Sequence, residues 1–543
     1  DLQNFALGKY FGIEQTIGNI SLKGEGQGKG LKLSTLDVEV AAVVEQIEFK
    51  GYSYENVLID GQVKDNFFNG NLSIDDENIA LDFKGQIDAT KTIPLFNFDA
   101  DVKRVNLKAL NLWKDEIIIS AKINSDFSAS NVNDIIGNID IDDLVARSGE
   151  KVVDIGYFNA SSKMLSNQEK RFTIKSNDLD ASVQGNFEFA KIPSTFKSVL
   201  IPNFEEQVPN QLLKFELNVK DNPEILSLFV PDLRILRPSR IDGNINSNTQ
   251  SMLAVLDLPV IQYKNFSAVD LSTNIYVDRG VFDLIALVPT VYMKDSVFIE
   301  DFSFLVNGPR DNLKVKLFAD GTQNSSIELF ANVITKNQRV TLEFDESNIF
   351  INDQFWMIDE NNEIIIGERI SSRNLKLYNG LSELMVDLEI GENEKKADIF
   401  LSNIFIEDFT QFLAAKNIDL KGIANGRISV NVTEESPGFF GDLMVENIEI
   451  NDYEIGNINM SAVLDLPNKK VKINGNLYGD DNEVDINGTY SFAKEISKND
   501  FDINFDIKNF AIYSIEEFIA QYIDNTAGTV SGKLSLVGPR NKP

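Results

Sequence analysis

The chain has 543 residues, enough for several ordinary domains, and contains neither histidine nor cysteine. That removes Ser-His and Cys-His nucleophile systems, thiolate and imidazole metal sites, disulfides and iron-sulfur ligation together. No cofactor or metal is expected, and catalysis would fall to carboxylates, Lys, Tyr and Ser alone. With 51 basic against 83 acidic residues the net charge is −32, which speaks against nucleic acid as a partner, while 43% hydrophobic residues and 38 Phe are too many for a disordered acidic chain.

The sequence opens on Asp1-Leu2-Gln3-Asn4-Phe5-Ala6-Leu7 with no charged or apolar leader pattern, so it reads as an excerpt from a longer protein. Gly24, Gly26, Gly28 and Gly30 follow at every second position. A dinucleotide loop needs Gly-x-Gly-x-x-Gly opening a helix, whereas Leu31-Lys32-Leu33-Ser34 continues as a strand, so these glycines are expected on one face of a bend or strand. Strict alternation then dominates. Ile79, Leu81 and Phe83 alternate with Ala80, Asp82 and Lys84, and the same pattern returns at Phe96, Phe98, Ala100 and Val102 and at Ile117, Ile119, Ala121 and Ile123. Leu384, Val386, Leu388 and Ile390 repeat it far downstream. Such strands have one apolar and one polar face, which predicts an antiparallel meander and not a parallel α/β sheet. Asn69-Gly70, Asp242-Gly243, Asn307-Gly308, Asn474-Gly475 and Asn487-Gly488 are expected at its hairpin turns. Helical periodicity is confined to short pieces at Leu107 to Trp113, Ser194 to Leu200, Glu224 to Phe229, Phe409 to Ala415 and Ile515 to Tyr522. The longest uncharged apolar run, Leu284 to Met293, contains Pro289 and is far shorter than the roughly twenty residues of a membrane-spanning helix.

Motifs for chemistry fail one by one. Ser194-Thr195-Phe196-Lys197 and Ser491-Phe492-Ala493-Lys494 spell Ser-x-x-Lys without the partner motifs of that mechanism. Asp481 to Gly488 is oxygen-rich, but a calcium-hand frame places Lys494 where the bidentate Glu belongs, so an acidic hairpin tip is expected. Nothing singles out a carboxylate pair, and Trp113 and Trp356 lie in apolar contexts that favour packing. The chain is read as a non-enzyme.

Internal repetition is stronger. Asp1 to Leu7 reappears as Asp506-Ile507-Lys508-Asn509-Phe510-Ala511-Ile512 and more loosely as Ser402-Asn403-Ile404-Phe405-Ile406. Tyr-x-Asn marks at Asn56, Asn159 and Asn265, continued by Asn374, suggest units of about 105 residues. Without linkers between them, residues 1–543 are expected to form one continuous repetitive β-structure, with approximate units 1–105, 106–213, 214–395, 396–501 and an incomplete 502–543. An apolar sheet face must be covered, and the helices are too few to cover it. The expected solution is a long, twisted, open antiparallel sheet curled into a groove. Its lining would include Ile79, Leu81, Phe83, Phe96, Phe98, Ile117, Ile119, Ala121, Ile123, Leu384, Val386, Leu388 and Ile390, with Asp82, Lys84, Lys122 and Asp387 outside.

Gly70-Asn71-Leu72-Ser73-Ile74, Leu81-Asp82-Phe83-Lys84-Gly85 and Phe96-Asn97-Phe98 resemble the repeats of TamB-type proteins of the AsmA-like superfamily, particularly Bacteroidetes members. So do Thr173-Ile174-Lys175-Ser176, Ser182-Val183-Gln184-Gly185-Asn186-Phe187, Asn352-Asp353-Gln354-Phe355-Trp356, Gly441-Asp442-Leu443-Met444-Val445 and Ile455-Gly456-Asn457-Ile458. The resemblance implies a taco-shaped β-groove crossing the periplasm, held to the inner membrane by an N-terminal helix absent from this segment. It further implies an outer-membrane barrel partner of the Omp85 type and roles in phospholipid transport and outer-membrane protein assembly. This sequence would be a middle section. The leading expectation is a conduit for phospholipid acyl chains between inner and outer membranes; the alternative is a periplasmic scaffold that captures strands of client barrel proteins.

Overall fold

The computed structural model describes residues 1–12, 15–30, 35–131, 133–202, 204, 206–321, 325–351, 354–412, 419–433, 438–451, 453–465, 469–491, 500–516 and 526–539. Strand makes up 71% of the chain and helix 6%, so the fold is all-β and antiparallel with only short helices, as alternation predicts. It divides into two compact units, Asp1–Val297 and Phe298–Pro543. The four internal repeat boundaries expected from the sequence fall inside the strands Leu95–Asn106, Leu212–Val219, Glu394–Phe405 and Phe501–Ala511.

In the first unit, sequence neighbours are mostly ladder neighbours. Ile17–Lys29, Asp37–Phe49, Tyr52–Lys64, Phe67–Asp75, Ile79–Asp88, Leu95–Asn106, Ile118–Ser128, Ile136–Ser148 and Lys151–Met164 pair in that order. Several hairpins close through two residues that are both left-handed, such as Asp65 (φ 49°) with Asn66 (φ 68°), the turn geometry that matches strand twist. The expected Asn-Gly and Asp-Gly turns are not turns. Asn69-Gly70, Asp242-Gly243, Asn474-Gly475 and Asn487-Gly488 lie in the middle of strands, and Asn307-Gly308 lies near the end of Ser296–Pro309. The physical reason is close approach: a Cβ on Gly70 would stand 2.6 Å from Gly61 Cα and 2.5 Å from the Asp60 carbonyl. At these positions glycine serves packing across the sheet.

The repeated Asn motif also has a local meaning. Asn4 (φ 48°) and Asn403 (φ 50°) are left-handed at irregularities in strand register, and each precedes a short helical segment, Leu7–Phe11 and Ile406–Phe412. Asparagine tolerates this conformation because its short amide can satisfy the backbone locally. The Tyr-x-Asn series is not structurally uniform: Asn56 and Asn374 are left-handed, Asn159 pairs with Asp140 inside a strand, and Asn265 lies in a hairpin turn.

Of the expected helices, Ile192–Leu200 and Leu226–Phe229 form. Leu107 to Trp113 folds instead as successive turns, because Asn106 Oδ1 accepts the Ala109 amide at 3.2 Å and the Leu112 amide returns to Leu107 O at 2.8 Å. Phe409 to Ala415, Ile515 to Tyr522 and the second Ser-x-x-Lys lie partly outside the described residues, and Leu31 to Ser34 lie wholly outside them.

In the second unit three consecutive strands are each broken midway. Arg339–Phe344 with Asn348–Ile351, Gln354–Ile358 with Glu363–Ile366, and Ile370–Arg373 with Leu375–Asn379 form two half-width tracks between the strands Ser325–Lys336 and Ser382–Ile390. Buried side chains replace the missing ladder bonds. Ser347 Oγ accepts the Phe330 amide at 2.9 Å, and Asn362 Oδ1 accepts the Phe344 amide at 3.0 Å, so these two backbone donors are satisfied where the ladder breaks.

Candidate functional site

The register makes the two faces explicit. In the first unit Ala42, Ile59, Leu72, Phe83, Ala100, Ile123, Ile141 and Phe158 stand directly opposite one another, one from each of successive strands. One residue away, on the other face, runs Asp60, Asn71, Lys84, Asp99, Asn124 and Asp140. The second unit has its own apolar row, Leu377, Leu384, Leu401, Gly426, Leu443, Met460, Gly475, Ile486, Phe505 and Leu534. Beside it lies a second, Val386, Ile399, Ile428, Gly441, Ala462 and Ile473.

Burial divides each apolar face into zones. In the first unit Ile79, Val102, Val105 and Leu110 form a buried cluster, and Ile117, Ala146, Val153 and Ile155 form another. Both lie at the strand ends joined by residues 76–78, 107–117 and 149–150, where turn residues Leu107 and Leu110, helix residue Leu228 and Ile225 just before that helix cover them. This margin is closed. The opposite strand ends of the same early strands keep the apolar face half-exposed, and here Phe68, Phe83, Phe98 and Phe127 form a chain of ring contacts with centroids 6.3, 4.9 and 6.4 Å apart; Phe96 stacks on Phe127 at 4.9 Å. Gly61, Gly70 and Gly85 stand opposite one another beneath these rings, with Phe68 Cε2 3.2 Å from where a Gly61 Cβ would be.

In the second unit the cluster of Trp356, Ile404, Ala424 and Val445 is covered by Ile406 and Phe409 of the Ile406–Phe412 segment, with Trp356 and Phe409 5.4 Å apart. Trp113 in the first unit is instead 44% exposed and meets Phe229 edge-on.

The expected lining residues distribute accordingly. Leu81, Ile119 and Ile123 pack around the cluster that contains Ile79, and Ile117 belongs to its neighbour; Ala121 is buried opposite Val102. Phe83, Phe96 and Phe98 are half-buried in the aromatic row. Leu384 joins the Trp356 cluster, Val386 and Leu388 lie beside it in register, and Ile390 is 37% exposed at its strand end opposite Lys395. Alternation marks the face, yet it carries no sign of which stretch is closed. Phe68, Phe127 and the glycine row escaped the reading, although the period-two spacing of Gly61 from Val57 and Ile59 contains the signal.

The polar face is laced with ion pairs. Lys103 Nζ sits 2.7 Å from Asp82, and this bond, with Ser73, holds the Asp82 carboxyl below the usual range. Lys122 pairs with Asp143 at 2.7 Å. Asn71, Asp82, Lys84, Asp99, Asp101 and Lys122 border a shallow depression of about 530 Å³ on this face. In the second unit Asp398 is 6% exposed between Arg427 (2.8 Å) and Ser429 (2.6 Å), which hold its carboxyl low. Ser194 Oγ bonds to Glu206 at 3.1 Å, and Asp481 accepts from Tyr513 at 3.0 Å. Among the described residues no group of three or more acidic side chains is placed to hold a metal ion, and no helix is long and apolar enough to cross a membrane. No protein-family model matches the chain, and no curated protein sequence matches it.

Proposed function

We propose that this chain is a section of a non-enzymatic lipid conduit, in which acyl chains lie along the apolar sheet faces and head groups stay at the open margin. The observation that carries the reading is the half-exposed aromatic row of Phe68, Phe83, Phe96, Phe98 and Phe127, laid over glycines beside a closed margin. A close-packed core would bury those rings, and a soluble surface would not align them across strands. Partition supplies the affinity: each methylene removed from water is worth about 0.8 kcal/mol, so a sixteen-carbon chain gains on the order of 10 kcal/mol relative to water. The row continues in register from strand to strand, so an acyl chain can slide along it. The resemblance of the repeats supports a periplasmic setting between two membranes, with an inner-membrane anchor and an outer-membrane barrel as partners.

A photo-crosslinking residue at Phe83 should capture phospholipid, whereas one at Asp82, the next residue on the opposite face, should not. Equal capture at both positions would overturn the conduit and favour a scaffold that captures client strands.

A further inference from the structure

On the apolar face of the first unit, Lys170, Gly185, Leu213, Ile245, Met252 and Val277 stand in register, one per strand. The last four are 2%, 0%, 4% and 1% exposed, and the ammonium at the head of the row belongs to a residue only 7% exposed. In a chain with 32 excess negative charges, Lys170 nevertheless has no carboxylate oxygen within 4.0 Å among the described residues. The nearest acids are committed elsewhere: Asp134 accepts the Ser130 and Asn131 amides at 2.8 Å, and Glu188 pairs with Lys191 at 2.8 Å. What surrounds the ammonium is the Asn133 carbonyl, to which it donates, and the rings of Phe187 and Phe189, each 4.6 Å away. Burial pushes its pKa down, the mark of a cation short of solvation.

Two buried polar atoms without partners lie beside it. Asn133 Oδ1 belongs to the residue that Lys170 bonds, and Ser162 Oγ is on the same face, its residue opposite Phe172 while Met164 is opposite Lys170. Ser162 and Lys170 are therefore diagonal neighbours, within about 8 Å. From Phe172 the register runs through Ser162 and Gly137 to Phe127 and Phe96, directly into the aromatic row. Lys170 opens its strand at the margin opposite the closed one, where the conduit reading places head groups.

We propose that Lys170 and Ser162 form a head-group station, binding the anionic oxygens of an amphiphile, carboxylate or phosphate, whose tail lies over Phe172, Phe127 and Phe96. The site rests on the reading of the apolar face as a lipid track and adds a fixed stop on it. An anion supplies the countercharge that the ammonium lacks and an acceptor for the Ser162 hydroxyl, while Phe187 and Phe189 wall the site against water.

The test uses the full chain with oleate, methyl oleate and inorganic phosphate in a fluorescence displacement assay at pH 8.5. Oleate should bind at least about tenfold tighter than its methyl ester, the scale of one charge-assisted bond, and phosphate should not displace it. Lys170→Met should abolish that preference and leave ester binding unchanged; Lys170→Gln, which keeps a polar tip, should do the same if the methionine variant fails to fold. Equal binding of acid and ester by the unaltered chain, or a preference that survives loss of the ammonium, overturns the station while leaving the track intact. Displacement of oleate by phosphate alone overturns the amphiphile in favour of a free-anion site. Failure of both acid and ester to bind refutes the conduit itself.

Discussion

Asp408 is 5% exposed on the segment that covers the Trp356 cluster, and its Oδ2 has no partner. Burial, with Glu407 beside it, pushes its carboxyl from 3.8 to about 6. The folded chain thus holds a proton that the unfolded chain releases, so stability falls as pH rises from about 4 to 6 and stays level above that window. Two pH units correspond to roughly 3 kcal/mol. Asp408→Asn is expected to raise the unfolding free energy of the second unit at pH 8, by up to about that amount in a urea titration, and to be nearly neutral at pH 4. Asp398 behaves oppositely. Its carboxyl is held low by Ser429 and Arg427, so its contribution is present above the unfolded value and lost as pH falls through the folded one. Asp398→Ala should cost about 1–3 kcal/mol, because it removes the buried acceptor shared by Ser429 and Arg427, whereas Lys122→Ala, which breaks an exposed pair, should cost less than about 0.5 kcal/mol in the same urea titration.

At the scale of a strand, glycine is the residue whose meaning context changes most. Gly24, Gly26 and Gly28 alternate along Ile17–Lys29 as the sequence predicts, on the face shared with Ala42, Val40 and Val38. They are not equivalent. A Cβ on Gly24 or Gly28 would meet atoms of the facing strand at 2.6 and 2.1 Å, whereas at Gly26 the nearest atom is Val38 Cγ1 at 3.5 Å. Gly26→Ala should therefore be neutral or stabilising by up to about 1 kcal/mol, since it lowers the chain's unfolded entropy without a clash. Gly70→Ala, which meets backbone at 2.5 Å, should cost about 2 kcal/mol or more and disturb the aromatic row, read as a lower thermal midpoint and a changed near-ultraviolet spectrum. The same argument explains why Asn-Gly misleads as a turn signal here. A two-residue hairpin needs left-handed backbone in its turn, which Asp65 with Asn66 supplies without glycine, and the sheet takes its glycines where side chains from the next strand must lie flat.

Across a whole unit, the decisive variable is which part of the apolar face is closed. Leu81 and Ile119 pack against the buried Ile79, Val102 and Val105, so Leu81→Asp with Ile119→Asp should unfold that margin and not merely interrupt a lipid path. Phe83→Asp with Phe127→Asp places the same charge in the half-exposed row, where it can hydrate. That variant should stay folded and lose phospholipid recovered by organic extraction, while Lys84→Asp with Lys122→Asp on the polar face should retain it. Normal phospholipid content in the folded Phe83 and Phe127 variant would remove the row as a lipid track.

The sequence by itself determined strand type, pairing sense and facing, because a period of two is a local property written in consecutive residues such as Leu81, Asp82 and Phe83. Sequence also marked the segments around Asn4 and Asn403 as repeats of one another, while their left-handed register irregularities emerge only in the structure. Only the tertiary structure decided that Leu81 and Phe83, two residues apart with the same parity, belong to different zones of one face. Closure depends on what a distant connection places over a strand: Leu107 and Leu110 lie over Ile79, Ile225 and Leu228 over Val153, and Phe409 over Trp356. Lys170 is the sharpest case. Its neighbours in sequence are polar, and its character comes from Asn133, Phe187 and Phe189, which chain reversal brings beside it. Alternation records only which way a side chain points, whereas desolvation is set by atoms contributed from elsewhere in the chain.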